Sequence, residues 1–527
     1  MLDTKNNSVS MITGVIADPI VVSQECLRKI MDKFHDKESI EDMGEFIRSF
    51  RGVFSGIFYD NSRKVVYAFV DHLSSKALYY YVDHDLVIIS SSYPMVLELL
   101  NAIGVKLILN EHGAYFLLSF GYMIRDSTLV KGVQKVLPGS IVEINLMDRS
   151  VRSIQYYRID NKPVYDDVND TINGIERRFL KAVKREFNVD SEIAKYHLIT
   201  LSGGLDSRMV TLTSFELGYR NSITFTFGQS NYYDQLISRK IANDLGIRNI
   251  FIPLDGGSYL LNVNDNISIN GGLVYYSNAA HLRYALSILD RFSVLSPAGI
   301  VHTGVLGDGV MGVYLRKPYH IPALPTTIYK FAISKKLLSK AVKFIDFSAY
   351  KNAEEFGIYE TSINTTFNGY RVIEQFTEFY SPFTDVDFMD YVFKIHPKLR
   401  YEDNIYLEWI KNKRPVALKY QWERLGFRPI MSSKFRKINR KMIVAYRYAL
   451  RKWNISPLYS MNPFDYWYSH NSSLRSLFDT LFRNGIPYVS NNELRDDVKW
   501  LYNTGSMIEK TMSVTLLATI KKFNITA

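Results

Sequence analysis

The stretch Ser202-Gly-Gly-Leu-Asp-Ser207 decides how this sequence is interpreted, and it directly follows the apolar run His197-Leu-Ile-Thr-Leu201. The run is typical of a buried parallel strand, and residues 208–212 have the pattern of the start of a helix. Glycines between a strand and a helix allow a tight turn and leave backbone N–H groups free to bind an anion. A carboxylate at Asp206 fits such a turn if Mg²⁺ lies between it and a polyphosphate. The sequence therefore predicts that ATP is cleaved at this strand-to-helix turn.

The hexapeptide resembles the pyrophosphate loop of the ATP pyrophosphatases, which release AMP and pyrophosphate. Its specific form is similar to that of the asparagine synthetase family, which also includes β-lactam synthetases and lasso-peptide cyclases. It is not a Walker loop, because the Lys-Ser/Thr ending is absent. The alternative is a Gly/Ser turn with a purely structural role, and a short motif alone does not exclude it.

Two further segments follow in the order that the resemblance implies. Ser222 to Gly228 has the alternation of a second strand, and Asp234 and a helical stretch come after it. Residues 299–312 resemble the family's strand that runs into a Gly-rich acidic loop. Asp308 falls on the position of the family's second magnesium ligand, so the resemblance implies that two loops face one metal–triphosphate. Taken by itself, Asp308 would be interpreted as a turn aspartate between glycines.

Two later segments complete the resemblance. Residues 378–385, Glu-Phe-Tyr-Ser-Pro-Phe-Thr-Asp, are similar to the family's Glu-x-Arg-x-Pro-Phe-x-Asp signature. Arg424-Leu-Gly-Phe427 resembles the family's late basic residue followed by Gly-Phe, with Lys419 as a nearby alternative. Glu378 is a candidate general base or amine-orienting group, and the alternative is a structural carboxylate that pairs with a nearby Arg.

The resemblance implies a site for ATP and Mg²⁺ at these loops. Asp206 and Asp308 would bind the metal, and Glu378 and Arg424 would be catalytic. The residues expected to bind ATP and pyrophosphate are Thr200, Ser202, Gly203, Gly204, Leu205, Asp206, Ser207, Phe227, Thr303 and Gly304.

Three departures from the family lie around the acyl acceptor. Val305 stands where asparagine synthetases have Glu and β-lactam synthetases have Tyr, and it can neither donate nor accept a proton. Tyr380 replaces the signature Arg, and Arg424 replaces a Lys. Arg keeps its charge and suits phosphates but is a poor proton donor. The departures predict a retained adenylating site and a substrate other than plain aspartate.

The first third of the chain resembles a class II glutamine amidotransferase domain. Strand-like runs occupy residues 53–59, 65–70 and 86–90. Residues 71–80 carry an Asp, a small loop and Leu-Tyr-Tyr, and Leu137-Pro-Gly-Ser140 resembles the Pro-Gly turn near the end of that domain.

A glutaminase of this class needs a cysteine at its mature N-terminus, where the free amine acts as base. The family's opening Met-Cys-Gly-Ile aligns best with residues 12–15, which places Thr13 at the nucleophile position. The single cysteine, Cys26, lies elsewhere and is interpreted as a small buried hydrophobe. We therefore expect a scaffold domain without glutaminase activity, although cleavage after Ile12 would expose Thr13.

Composition limits the class of protein. The chain has 527 residues, a net charge of +11 and one cysteine, which excludes a disulfide framework and fits a reducing cytoplasm. No apolar run is long enough to span a membrane. Residues 433–451 are basic and aromatic, which suits nucleic acid, acidic lipid or an anionic glycan. We favour a solvated helix face with its aromatic side chains packed into the core.

These patterns predict an α/β protein with two domains. Residues 1–160 would form an Ntn-hydrolase-like α+β sandwich, and residues 165–527 a doubly wound parallel sheet with a helical C-terminal part. The predicted function is an AMP-forming, asparagine synthetase-type amidoligase acting on a small-molecule or peptide carboxylate, with ammonia or an amine as nitrogen source. The alternatives are a cyclase-like, β-lactam-forming or glycan-amidating paralogue, an ATP-binding scaffold, and an RNA-modifying enzyme, which the first domain disfavours. Homodimerisation is left open.

Overall fold

The computed structural model describes residues 2–5, 8–18, 32–34, 36, 39–319, 321–429 and 433–527, so Cys26 lies outside the described residues. Its strands are β1 (Leu2–Lys5), β2 (Ser8–Asp18), β3 (Arg51–Asp60), β4 (Val65–Val70), β5 (Tyr79–Val82), β6 (Val87–Ser90), β7 (Val133–Lys135), β8 (Ser140–Asn145), β9 (Val151–Gln155), β10 (Tyr196–Thr200), β11 (Ser222–Gly228), β12 (Arg248–Pro253), β13 (Ala298–His302) and β14 (Glu378–Tyr380).

The helices of the described residues are α1 (Ile40–Arg48), α2 (Tyr93–Ala102), α3 (Glu111–Phe120), α4 (Val168–Ile193), α5 (Asp206–Glu216), α6 (Tyr233–Leu245), α7 (Val263–Asn270), α8 (Ala280–Arg291), α9 (Gly307–Met311), α10 (Leu338–Val342), α11 (Ala353–Phe356), α12 (Thr365–Tyr370), α13 (Val386–Phe393), α14 (Pro397–Arg400), α15 (Asn404–Lys413), α16 (Ser433–Lys452), α17 (Phe464–His470), α18 (Ser472–Gly485), α19 (Asn492–Thr504) and α20 (Met507–Lys522). A π-helix spans Gly357–Asn364.

The first part of the chain forms two antiparallel sheets. The larger sheet has the order β1-β2-β3-β4-β8-β9, and the smaller has the order β6-β5-β7. The three strand-like runs of this region are confirmed as β3, β4 and β6. β4 is buried along its whole length because it lies in the middle of the larger sheet.

A parallel five-stranded sheet follows, with the order β12-β11-β10-β13-β14. The chain starts at the central strand β10, moves outward through β11 and β12, and returns to form β13 and β14 on the other side. This order confirms the predicted doubly wound α/β architecture. Adjacent strands whose connections leave in opposite directions create a crevice at their carboxyl ends, where ligands bind in such folds. Here that crevice lies between β10 and β13, where Ile199 pairs with His302.

One hydrophobic core contains residues from both sides of the boundary predicted near residue 160. Residues of the first part, such as Leu97 and Phe116, share one buried cluster with Val498 and Leu517 from the C-terminal helices. The two halves are therefore packed together, and the division into residues 1–160 and 165–527 stays a prediction.

Helix α16 corrects one interpretation of the sequence. We favoured a helix whose aromatic side chains pack into the core, but Phe435, Tyr446 and Tyr448 are exposed. The side that faces the protein instead combines the buried Ile443 and Leu450 with Arg436 and Arg447, which are bonded to Asn404 and Glu423. None of the helices in the described part of the chain is both long and apolar enough to cross a membrane.

Candidate active site

The loop between β10 and α5 is held in shape by its own serines. The N–H of Ser202 donates to Ser207 Oγ at 3.0 Å, and the N–H of Gly204 donates to Ser202 Oγ at 3.2 Å. The N–H of Gly203 donates to Asp234 Oδ1 at 2.8 Å, which ties the loop to the first turn of α6. Burial raises the pKa of Asp234 to about 6. The predicted turn is thus preformed at the carboxyl end of the central strand.

Asp206 and Asp308 meet at this loop although they are far apart in the sequence. The backbone N–H of Asp308 donates to Asp206 Oδ2 at 3.0 Å. The hydroxyl of Tyr406 donates to Asp206 Oδ1 at 2.6 Å, which fixes the orientation of the carboxylate. The structure therefore brings together the two residues that the sequence suggested as magnesium ligands.

Two glycines allow the loop after β13 to approach the loop after β10. A Cβ on Gly304 would lie 2.4 Å from the backbone nitrogen of Ser207. A Cβ on Gly307 would lie 2.4 Å from Cγ of Asp206. Any larger residue at either position would push the two loops apart, so these glycines set the spacing between Asp206 and Asp308.

The electrostatics of the two aspartates favour a bound cation. Desolvation, followed by the charge of Asp308, raises the pKa of Asp206 to about 7. Desolvation by the surrounding loops also raises the pKa of Asp308, although this residue is exposed on its outer side. Two carboxylates that resist joint ionisation are stabilised by a divalent ion, and carboxylate oxygens are the donors that Mg²⁺ prefers. The residues present therefore fit a magnesium ion.

A cavity of about 780 Å³, including its open mouth, lies above the loop. Eight of the ten residues expected to bind ATP line it, whereas Gly203 and Leu205 do not. The lining residues from that set are Thr200, Ser202, Gly204, Asp206, Ser207, Phe227, Thr303 and Gly304.

Several cavity residues were missed by sequence reasoning. His281, Tyr370 and Met461 line the same cavity from elements that carry no motif. His281 lies on α8 beside the ring of Phe227, with 5.3 Å between the ring centroids. Among the described residues, Nδ1 of His281 has no hydrogen-bond partner, and burial lowers the pKa of this histidine to about 4. A neutral imidazole with an unused nitrogen is thus available to a ligand in the cavity.

The departures from the family take different places. Val305 lines the cavity, so an apolar side chain stands where the resemblance to asparagine synthetases implies a proton-transferring group. Tyr380 does not line the cavity, because its side chain packs with Val53 and Ile300.

The two expected catalytic residues lie outside the cavity wall. Glu378 pairs with Ile300, two residues before the end of β13, and its Oε2 lies 2.5 Å from Nζ of Lys76. A lysine of the first part of the chain is therefore its partner, rather than an arginine. Arg424 lies near Asp308, whose pKa its charge lowers, and its Nη1 is 3.4 Å from Oδ2 of Asp403. The catalytic roles of both residues stay predictions.

A buried network of charges supports the strands beneath the cavity. Nδ1 of His302 is 2.5 Å from Oε1 of Glu186, and its Nε2 is 2.9 Å from Oδ2 of Asp190. Nδ1 of His197 is 2.6 Å from the same oxygen of Asp190. Both ring nitrogens of His302 are used in these hydrogen bonds. Hydrogen bonding alone therefore explains why Asp190, His197 and His302 lie together. Burial alone would lower the pKa of His302, but the neighbouring carboxylates outweigh it and raise the pKa to about 9.

This network predicts that the protein loses stability in alkaline solution. His302 binds its proton more tightly in the folded chain, so its contribution is fully present below pH 6.5 and is lost as the pH rises through about 9. The shift in the pKa of His302 from 6.5 to about 9 corresponds to about 3 kcal/mol of the free energy of unfolding, which is lost across this pH range. Urea unfolding at the two ends of this pH range measures it.

Two variants separate this network from general alkaline effects. Near neutral pH, His302→Gln should have a lower free energy of unfolding than wild type. As the pH rises to about 9, the free energy of unfolding of this variant should fall much less than that of wild type. His470→Gln is the control, because His470 is exposed. A wild-type stability that stays flat over this range, or an equal decline in His302→Gln, would contradict the prediction.

Comparison with known proteins identifies relatives of this chain. A family model described as a glutamine amidotransferase domain matches residues 38–157. The putative asparagine synthetase [glutamine-hydrolyzing] 2 of Methanocaldococcus jannaschii is 26% identical over 200 residues, which are 38% of this chain and 38% of that protein. The chain thus matches well under half of the length of this curated relative.

Two solved structures resemble parts of this chain. The U34-tRNA thiolase NcsA of Methanococcus maripaludis is 15% identical, with 58% of this chain and 80% of that chain covered and a TM-score of 0.23. The NH3-dependent NAD synthetase of Campylobacter jejuni is 16% identical, with 39% and 96% covered and a TM-score of 0.22.

The fold places an amidotransferase-like sheet domain before a parallel sheet that carries a Gly/Ser loop at the carboxyl end of its central strand. Over the matched residues the chain is similar to a glutamine amidotransferase domain and to a curated asparagine synthetase.

Proposed function

We propose that this chain is an ATP-dependent amidoligase that activates a carboxylate as an acyl-adenylate. The observation that carries the proposal is the contact between Asp308 and Asp206 at the mouth of the preformed loop. A site for ATP alone would need the anion-binding loop, whereas two converging carboxylates suit a metal-bound pyrophosphate leaving group.

The reaction has two steps. An oxygen of the substrate carboxylate attacks the α-phosphorus of ATP, and the bond between the α- and β-phosphates breaks to release pyrophosphate. An amine or ammonia then attacks the acyl carbon, and AMP leaves as the amide bond forms. The hydroxyls of Ser202 and Ser207 and the N-terminal end of helix α5 would bind the phosphates, and the charge of Arg424 beside Asp308 would stabilise the negative charge that develops. Asp206 and Asp308 would hold Mg²⁺, which neutralises phosphate charge.

The cavity wall supports a substrate that differs from aspartate. Val305 offers no group to take a proton from the attacking amine, and Glu378 is held by Lys76 outside the cavity wall. The acceptor amine would therefore enter already deprotonated, or lose its proton to solvent. A peptide, a β-lactam precursor or an anionic sugar remain alternative substrates within this class.

The first part of the chain supports a scaffold rather than a glutaminase. Thr13 lies within β2, where it pairs with Ser55, and its amide is part of a continuous strand. Residues of β1 pair with the same strand up to Met11. A free amine at Thr13 would require removal of β1 and of the first half of β2, so we propose that ammonia or a substrate amine supplies the nitrogen.

AMP formation tests the proposal. Purified protein is incubated with ATP, Mg²⁺ and a panel of carboxylates that includes aspartate, carboxylated sugars and peptides, with ammonia or glutamine as nitrogen source. We expect AMP and pyrophosphate in equal amounts with at least one carboxylate, in the presence of ammonia, and no glutamate from glutamine. ATP binding without AMP formation across the panel would contradict the proposal and favour a non-catalytic scaffold. Glutamate release that Thr13→Ala abolishes would contradict the scaffold role of the first part.

A further inference from the structure

Helix α16 has an unusual charge composition for a surface helix. It spans Ser433–Lys452 and contains eight Lys and Arg residues but no Asp or Glu. Surface helices of globular proteins usually mix both signs of charge, since opposite charges three or four residues apart stabilise each other. Carboxylates outside the helix pair with three of its basic side chains, Lys437 with Glu402, Arg447 with Glu423 and Arg451 with Asp465.

One side of α16 is attached to the protein. The guanidinium of Arg447 is 2.9 Å from Oε1 of Glu423, and that of Arg436 donates to Asn404 at 3.3 Å. Ile443 is buried on the same side, where its Cδ1 lies 2.7 Å from the place that a Cβ on Gly426 would occupy. These residues recur at helical spacing, so they define the face that is covered.

About a third of a turn around the helix from this face lies an apolar stripe that the described part of the protein leaves uncovered. Its residues follow the spacing of one helix face and are joined by the tryptophan that comes directly after the helix. The exposed fractions are Phe435 58%, Ile438 53%, Met442 63%, Tyr446 57% and Trp453 65%. Exposed apolar side chains are common singly, whereas a contiguous row of them marks an interaction surface.

Basic side chains run along one edge of this stripe. At about 100° per residue, Lys441 and Lys452 project to the side of the stripe that lies away from the covered face. Long lysine side chains can lie along an apolar surface while their charged ends reach toward anionic groups. The helix therefore presents apolar and cationic groups in parallel rows.

We propose that α16 is a membrane-binding helix that lies in the surface of an anionic lipid bilayer. A row of aliphatic and aromatic side chains beside a row of lysines matches the acyl region and the phosphate headgroups of such a bilayer. Trp453 at the end of the stripe suits the interface between the two regions. The aliphatic part of the stripe, Ile438 and Met442, would gain nothing from RNA, which binds through base stacking and phosphate contacts.

The position of the helix links this surface to the proposed active site. Arg440 of α16 lies close enough to Arg424 for their charges to interact, and Lys437 is 3.0 Å from Glu402, next to Asp403. A protein bound through α16 would hold its ATP cavity near the bilayer. This surface was identified independently of the catalytic proposal, so failure of one does not imply failure of the other.

Vesicle sedimentation of the full chain tests the inference. We expect binding to vesicles of phosphatidylcholine and phosphatidylglycerol in about a 3:1 ratio, and severalfold weaker binding when salt rises from about 0.05 to about 0.5 M. Binding to phosphatidylcholine alone should be at least about tenfold weaker. The fluorescence of Trp453 should shift to the blue on binding, and the shift should disappear in Trp453→Phe.

The test substitutions are made at exposed side chains, so they should weaken vesicle binding without affecting folding. The triple variant Ile438→Ser, Met442→Ser, Tyr446→Ser should bind at least about tenfold more weakly, because each side chain contributes apolar area. The double variant Met147→Ser, Phe292→Ser is the control, since these side chains are 78% and 77% exposed elsewhere. The inference is overturned if wild type binds neither the vesicles that contain phosphatidylglycerol nor those of phosphatidylcholine alone. It is also overturned if the triple variant binds the anionic vesicles as tightly as wild type. Salt-sensitive RNA binding, or a dimer that the triple variant dissociates, would likewise overturn it when vesicle binding is absent.

Discussion

Asp206→Asn is expected to lower the rate of ATP–pyrophosphate exchange by at least about a thousandfold, equivalent to about 4 kcal/mol of transition-state stabilisation. Its carboxylate accepts hydrogen bonds from Tyr406 and from the backbone of Asp308, so it occupies the point where the two loops meet. Asn keeps the shape of the side chain but removes the charge that would bind Mg²⁺. The exchange assay with a carboxylate substrate measures the loss.

Stability distinguishes loss of metal binding from loss of folding. The pKa of Asp206 is raised to about 7, so folding favours the protonated carboxyl over the ionised one. The stability that belongs to the protonated form is present below pH 3.8 and is lost as the pH rises through about 7. At pH 8, Asp206→Asn should therefore unfold at a temperature no lower than that of wild type.

A matched variant completes this experiment. Asp290→Asn removes an exposed carboxylate from α8 and should leave both exchange and stability unchanged. ATP with Mg²⁺ should raise the unfolding temperature of wild type by mass action and raise that of Asp206→Asn much less. Wild-type exchange in Asp206→Asn would remove the basis for the proposed metal site.

The sequence predicted the parts of the site that depend on local backbone geometry. The loop at Ser202–Ser207 and the glycines beside Asp308 are short motifs whose chemistry is contained in consecutive residues. The alternation of strands and helices then predicted a parallel sheet, and the carboxyl ends of neighbouring strands in such a sheet lie together. The proximity of Asp206 and Asp308 was implied by the resemblance to the asparagine synthetase family, and the pairing of β10 with β13 accounts for it physically.

The missed features are contacts between distant segments. Lys76 pairs with Glu378 across about three hundred residues, and a single charged residue on each segment gives no local pattern. His281 enters the cavity from a helix whose other apolar residues serve the core, so nothing in its spacing marks a ligand contact.

Helix α16 was misjudged for a different physical reason. Amphipathic patterning identifies two faces, but it does not say which face the protein covers. We expected the aromatic side to be covered, as in most surface helices. Here the attached side combines the buried Ile443 and Leu450 with the polar contacts of Arg436 and Arg447, and the stripe of larger apolar side chains is left exposed.

Gly307→Ala is expected to abolish exchange through geometry alone. The added methyl group would lie 2.4 Å from Cγ and 2.8 Å from Oδ1 of Asp206, closer than nonbonded atoms approach. Either the Asp206 side chain leaves its hydrogen bond with Tyr406, or helix α9 moves and takes Asp308 with it. Both outcomes separate the two carboxylates, so we expect at least about a hundredfold loss, comparable to the effect of misplacing catalytic groups by about 1 Å.

Gly309→Ala is the matched control, because it adds the same methyl group to the same short helix. Its Cβ would lie 2.8 Å from Oγ of Ser362, the end of a side chain that can turn away, and 3.7 Å from Ile358. Alanine has a higher helix propensity than glycine at both positions. A difference in exchange between the two variants therefore arises from the contact with Asp206 and not from a change in helix stability. Exchange and unfolding temperature are measured for both. Equal activity of the two variants would show that the spacing of Asp206 and Asp308 does not govern adenylation, whereas selective loss in Gly307→Ala would tie activity to the close approach of these two loops.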